Sequence, residues 1–261
     1  MELIHSIILG IVEGITEFLP ISSTAHLIIA EKLLKIEPTD FSKSFIISIQ
    51  LGAILSVVVL YWKKLLTSWE NIKKIIIAFI PTAIIGFVLY QIIKDFLMES
   101  LLVIALALLI GGIVLIVFEK INYQLADQNF LNKESDLKQV TYKKALLIGI
   151  IQALAVIPGV SRSAATIIGG LSMNINRQTI VEFSFLLAVP TMLAATIYDL
   201  IKNSAVTAEQ SGTWLIGFIV SFIVAMATIK FLVNFIKHNN FISFGIYRII
   251  IGLVILGFIF F

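Results

Sequence analysis

The sequence predicts an all-α integral membrane protein. It reads as an inverted-topology repeat of six transmembrane helices plus two re-entrant helical hairpins. Three observations lead there. The 261-residue chain is 59% hydrophobic and only 13% charged, about half the charge of an ordinary soluble domain. Six stretches are apolar and long enough to cross a bilayer, at about 20 residues per crossing. Two further apolar regions are each broken near the middle by proline and polar residues, and these two regions resemble each other.

The first broken region, 3–36, contains "EGITEFLPISSTAH" at 13–26. Its halves are shorter than a full crossing. The chain is therefore expected to enter, turn at depth and leave on the same side. Broken backbone is tolerated at that depth where it is buried in protein or lines a wet cavity. Spans at 45–62, 75–93 and 101–118 complete a first repeat, 1–118. The polar, charged segment 119–144 is the linker, expected on the cytoplasmic side. A second repeat, 145–261, opens with the other broken region, 145–172, and its spans follow at 183–201, 213–236 and 242–261. Together they form one membrane domain.

The repeats align in order. "LGIVEGITEFLPISSTAHL" parallels "IGIIQALAVIPGVSRSAAT", which pairs Gly10 with Gly149, Glu13 with Gln152 and Ser22 with Ser161. "FIISIQLGA" at 45–53 parallels "FSFLLAVPT" at 183–191. Three spans per repeat is an odd number, so the second repeat is inverted relative to the first. In such architectures the site lies near the midplane, where broken helices meet.

Basic residues set the orientation. Lys63, Lys64, Lys73, Lys74, Lys120, Lys133, Lys138, Lys143, Lys144, Arg177 and Lys237 fall on one side, and Lys32, Lys35, Lys43, Lys94 and Lys202 on the other. Eleven against five places the first side in the cytoplasm. Both termini then lie outside the cell membrane, the site faces outward, and the hairpins enter from opposite sides to meet tip to tip. The N-terminal stretch has no basic leader, and Glu13 and Glu17 interrupt its apolar run, so it reads as part of the fold and not as a signal peptide. The absence of cysteine removes disulfide, thiolate and iron–sulfur chemistry. A net charge of +3 does not call for nucleic acid.

The chemistry lies in the two breaks. Glu13 and Glu17 are four residues apart and share a helix face. Two buried carboxylates repel, so either one keeps a proton or a cation sits between them. A hard divalent ion such as Mg²⁺ suits carboxylate and phosphate oxygens together. Pro20 stops the incoming helix, and Ser22 or Ser23 caps the next. A helix start of this kind binds anions through its free N–H groups and dipole. His26 follows Ser23 by three residues and Ser22 by four, a register that brings its ring toward those hydroxyls. That leaves two candidates for a nucleophile: Ser23 activated by His26, or His26 itself.

"PGVSRSAAT" at 158–166 repeats the device. Pro158 and Gly159 break the chain and Ser161 caps the following helix. Arg162 cannot shed its charge, so at this depth it needs an anion, either a ligand phosphate or one of the two glutamates. Around the two helix starts the expected phosphate ligands are Ser22, Thr24, Ser161, Arg162, Ser163 and Thr166. Gln50 and Gln152 are available to complete a network. Arg177 and Glu182 read as a loop salt bridge. Arg248, in the last span, has three readings: it snorkels, pairs within the bundle, or holds a lipid headgroup.

"EGITEFLPISSTAH" and "PGVSRSAAT" resemble the two signature regions of the bacterial undecaprenyl-pyrophosphate phosphatases of the bacitracin-resistance type. The likeness continues through "VEFSFLLAVPTM" at 181–192 and covers nearly the whole chain. The resemblance implies removal of the terminal phosphate of a C55 polyprenyl pyrophosphate, which recycles the lipid carrier of peptidoglycan synthesis. It also implies a divalent cation, Mg²⁺ or Ca²⁺. Glu13, Glu17, Ser23, His26, Ser161, Arg162 and Thr166 fall on the family's functional positions. Ala25 and Ala164 stand where glycine is common. The partners expected are the lipid substrate and the bilayer, and a second copy of the chain is the candidate protein partner, on which the sequence is silent. Inverted repeats with broken helices are also a transporter device, so a polyprenyl-phosphate flippase is the competing class.

Overall fold

The computed structural model describes residues 2–37, 39–66, 68–92, 100–125, 135–202 and 211–260. Ten α-helices account for nearly all of them: α1 (Leu3–Thr16), α2 (Ser23–Leu33), α3 (Asp40–Leu66), α4 (Trp69–Ile92), α5 (Leu101–Leu125), α6 (Tyr142–Gln152), α7 (Arg162–Leu171), α8 (Arg177–Lys202), α9 (Ser211–Phe235) and α10 (Ile242–Phe260). Six of these, α3, α4, α5, α8, α9 and α10, are long and apolar enough to cross a bilayer. Several run past their apolar stretch into polar sequence, α3 from Asp40 and α5 to Leu125 among them, because backbone hydrogen bonding does not stop at the bilayer edge. The linker is smaller than expected for the same reason: α5 continues to Leu125 and α6 already starts at Tyr142. Residues 93 and 261 of the expected spans, and 126–134 of the linker, lie outside the described residues.

The two broken regions form the short helix pairs α1–α2 and α6–α7, and each pair packs on itself. At 14 and 11 residues, α1 and α2 reach about 21 and 16 Å, well short of a crossing. The halves exchange roles in the packing: α1 lies on α9 as α6 lies on α4, while α3 meets α8 and α5 meets α10. The paired glycines show why the halves align. A Cβ on Gly10 would stand 2.8 Å from the carbonyl oxygen of Gly217, and one on Gly149 would stand 2.1 Å from that of Ala78. Both hairpins therefore press a bare backbone against a long helix.

The hairpins enter from opposite ends. The end of α3 carries Lys64, which pairs with Glu182 near the start of α8. The same end holds Arg177, bonded to Glu119 of α5, and the turn before α6, where Thr179 receives the N–H of Asp136. Arg177 and Glu182 thus do not pair with each other as their spacing suggested. They sit on one helix but face different neighbours, α5 and α3. The first hairpin feeds the far end of α3 instead. Its turn, Phe18, Leu19 and Ile21, is buried in the main core, where the rings of Phe18 and Phe185 meet edge to face at 5.3 Å. Large apolar side chains such as Ile84, Val88, Ile110, Ile223 and Leu253 stay exposed on the outer helix faces, as a lipid-facing surface requires.

Candidate active site

Both breaks are built alike. Pro20 has no N–H to continue α1, and the chain turns through 17–22. Ser22 then takes φ 74°, and its hydroxyl accepts the N–H of Ala25 to start α2. In the second hairpin Pro158 and Gly159, at φ 94°, make the turn, and Ser161 at φ 67° accepts the N–H of Ala164 to start α7. Positive φ on a residue other than glycine costs on the order of 1–3 kcal/mol and persists where the surroundings impose it. The serines aligned by sequence therefore share the same strained conformation, each at the start of a helix.

The two turns touch. The hydroxyl of Ser163 donates to the carbonyl of Phe18 at 2.9 Å. Arg162 Nη2 donates to Glu17 Oε1 at 3.2 Å, and its Nη1 donates to the carbonyl of Ser184 at 2.7 Å. The other carboxylate oxygen, Glu17 Oε2, accepts the Ser23 hydroxyl at 2.5 Å. Ser23, Glu17 and Arg162 thus form one chain of contacts across the two repeats. Thr166 joins it indirectly, 2.6 Å from the hydroxyl of Ser184 that backs Arg162.

His26 is placed differently from its expected role. Its Nδ1 lies 2.7 Å from the carbonyl of Ser22 and its Nε2 lies 2.8 Å from the hydroxyl of Tyr247 on α10. A carbonyl only accepts, so Nδ1 carries the proton and Nε2 faces the tyrosine O–H. The ring is also stacked on Tyr247. The hydroxyl of Ser23 is given to Glu17, so serine and histidine do not form the expected pair. The helical register is as read, but it presents the carbonyl of Ser22 to His26. Ser163 and Thr166, expected to bind phosphate, have protein partners and do not line the cavity described below.

Arg248 has the most complete set of partners. It is fully buried, and all five of its N–H groups donate to carbonyls: Nε to Leu108, Nη1 to Pro20 and Val160, Nη2 to Ala107 and Gly159. It neither snorkels nor meets a lipid. It binds the backbone of both turns and of α5 at once. The signal in the sequence was an arginine in an apolar span, which must find partners. For Tyr247 and Ser184 no comparable signal exists.

A cavity of about 560 Å³ joins these parts. One end is polar, lined by Glu17, Ser22, Ser23, Thr24, Ser161 and Arg162. The rest runs between α4, with Phe79, Ala83, Gly86 and Phe87, and α8, with Met192, Ala195 and Tyr198. Gln50, Thr82, Gln152 and Thr191 add polar groups to the wall, where Gln152 donates to both threonines. Glu13 lies behind this surface, fully buried, with neither carboxylate oxygen hydrogen-bonded. The charges acting on it are those of Glu17 and Arg162. Two carboxylates beside one guanidinium call for a proton on one of them or a cation between them, and the oxygens of Glu13 are the donor type a hard cation takes. Among the described residues no group of three or more such side chains gathers. A cation here would need further oxygens from phosphate and water, which is the usual manner of Mg²⁺.

The fold and site define a multi-pass membrane protein with a cleft, polar at one end, at the meeting point of two opposed hairpins. The chain belongs to the family described as bacitracin resistance protein BacA, whose family model matches residues 6–254. It is 52% identical over 262 aligned positions to an undecaprenyl-diphosphatase of Aquifex aeolicus, covering 98% of each chain. It is 50% identical to an undecaprenyl-diphosphatase of Persephonella marina, covering 99% of this chain and all of its relative. An undecaprenyl-diphosphatase of Bdellovibrio bacteriovorus is 49% identical, with 98% and 95% covered.

Proposed function

We propose that this protein is an integral membrane undecaprenyl-diphosphatase, which hydrolyses undecaprenyl pyrophosphate to undecaprenyl phosphate and phosphate. The observation that carries the reading is the shape of one cavity. It joins a serine, a carboxylate, an arginine and two helix starts to an apolar groove between α4 and α8. A diphosphate fits the first part and an isoprenoid chain the second. The near-full-length relatives bear the same name.

In the reaction that this geometry supports, Ser23 Oγ attacks the terminal phosphorus. Its proton passes to Glu17 Oε2, already in contact at 2.5 Å. The bond from phosphorus to the bridging oxygen breaks and undecaprenyl phosphate leaves. Water then attacks the phosphoserine, the phosphorus–Oγ bond breaks, and the proton held by Glu17 returns to Ser23. Arg162 faces the growing charge and keeps Glu17 oriented through Oε1. Glu13 and Glu17 are the residues that would hold a divalent cation, Mg²⁺ or Ca²⁺, which when bound supplies charge neutralisation to the phosphate oxygens. His26 as nucleophile fits less well, because both ring nitrogens are engaged and the ring is not among the cavity-lining groups.

The same reading assigns the protein to the bacterial cell membrane, with the cleft and both termini facing outward, and a homodimer is its candidate assembly. Reporter fusions at the termini and light scattering in detergent test those parts. The decisive experiment is phosphate release from a polyprenyl pyrophosphate in detergent micelles. Hydrolysis lost in Ser23→Ala and Arg162→Ala supports the enzyme. Movement of lipid across vesicles without hydrolysis would replace it with the flippase.

A further inference from the structure

We propose that Arg248 is the positioning residue of this site and that Gly111 is the opening through which it acts. The proposal rests on the phosphatase reading for its substrate, a diphosphate with one phosphate for each helix start.

The two helix starts belong to different repeats, and a bridging ligand feels the distance between them. Arg248 spans that distance. Its Nη1 is shared between Pro20, two residues before Ser22, and Val160, next to Ser161. Its Nη2 holds Gly159 at 2.9 Å. In a trans peptide the N–H points away from the C=O. Anchoring the carbonyl of Val160 to α10 therefore turns the N–H of Ser161 away from α10, and Ser161 lines the cavity. The guanidinium is planar and rigid, so the three turn carbonyls are held in one fixed frame. Ala107 and Leu108 tie that frame to α5.

A buried cation with no carboxylate among its hydrogen-bond partners is a costly way to brace a bundle. The α5–α10 contact is already close through Gly112, Gly245 and Gly252, each of which meets the opposite helix closely. The arginine adds what that contact lacks, a link to both turns. Gly111 makes room for it: a Cβ there would lie 2.2 Å from Arg248 Nη2, closer than any real contact. Alanine at 111 must displace the guanidinium while keeping its charge.

The test compares Arg248→Met, Gly111→Ala, the double variant and, as a control, Gly257→Ala, whose Cβ would meet nothing within 4 Å. Purified protein in detergent is assayed for kcat, KM and inhibition by inorganic phosphate and by inorganic pyrophosphate. A misplacement of about 1 Å costs on the order of 100-fold in rate. Arg248→Met and Gly111→Ala should each lose about that much in kcat. Pyrophosphate, with one phosphate for each helix start, should inhibit more weakly, while phosphate, with only one, should inhibit as before. The double variant should be no worse than Arg248→Met, because both changes act through one group. Gly257→Ala should match the parent. Should Arg248→Met fail to fold, Gly111→Ala alone decides. Wild-type kcat in Gly111→Ala, parallel weakening of both inhibitors, or additive losses would overturn the proposal. A parent protein without hydrolytic activity would instead remove the phosphatase reading, and the clamp would then be judged on phosphate and pyrophosphate binding.

Discussion

The hydroxyl of Ser23 lies 2.5 Å from Oε2 of Glu17, while the other oxygen of that carboxylate faces Arg162 from the opposite repeat. On the proposed reading, the nucleophile and its base come from one hairpin, and the group that orients the base comes from the other. Ser23→Ala and Glu17→Gln are each expected to lower kcat by about 10³-fold or more, and the double variant to be little worse than either. Single-turnover phosphate release measures this. Labelled phosphate trapped on a residue other than Ser23 would exclude the serine route.

His26 sits one step back. With Nδ1 on the carbonyl of Ser22 and Nε2 on Tyr247, it braces the start of α2. Tyr247→Phe removes one partner and is expected to cost less than about tenfold in kcat. His26→Ala should cost more than Tyr247→Phe but clearly less than Ser23→Ala. Equal losses in His26→Ala and Ser23→Ala would return the histidine to the chemistry.

Arg162→Lys is not a mild change here. Lysine cannot reach Ser184 and Glu17 with a planar fork, so a loss of about 10²–10³-fold is expected, as for other removed transition-state donors. Thr166→Val removes the hydroxyl's contacts to Ser184 and to the carbonyls of Arg162 and Ser163 and should lower kcat modestly with KM nearly unchanged. Steady-state kinetics on the same substrate separates the two.

Glu13 has two buried oxygens with no hydrogen-bond donor. Chelator is expected to abolish activity and Mg²⁺ or Ca²⁺ to restore it. Glu13→Gln should require a higher cation concentration for half-maximal rate, because a charged ligand is replaced by a neutral one. Full activity of the parent in excess chelator would remove the cation from the reading.

Gly86 faces the apolar groove with nothing within 4 Å of a Cβ placed on it. Gly86→Leu fills the groove without touching the polar end. It should slow turnover of the C55 substrate by at least about tenfold, the scale of a 1–3 kcal/mol overpacking cost. A C15 prenyl diphosphate should be affected less. Equal effects on both chain lengths would show that the tail takes another path.

Much of the architecture was legible in the sequence for a simple reason. Hydrocarbon cannot satisfy a free N–H or a charge, so every span and every break leaves a mark in composition. Ser22 and Ser161, and Gly10 and Gly149, were aligned by sequence, and each pair has matching backbone geometry or packing, while Pro20 and Pro158 stand one position out of register. Glu17, Ser23 and Arg162 were legible too, as costly groups with no reason to be there except each other and a ligand.

What the chain determined by itself is therefore the number of spans, the two breaks, their inversion and the identity of the charged groups. Partner choice was decided only by the tertiary structure. Spacing placed His26 near a serine, but not on the carbonyl of Ser22 instead of a hydroxyl. It paired Arg177 with Glu182, whereas α8 turns these two toward Glu119 and Lys64. It left Arg248 with three readings and could not choose among them. A hydrogen bond is decided by orientations of a few tens of degrees between groups up to 228 residues apart, as for Arg248 and Pro20, and helical periodicity carries no information across that separation.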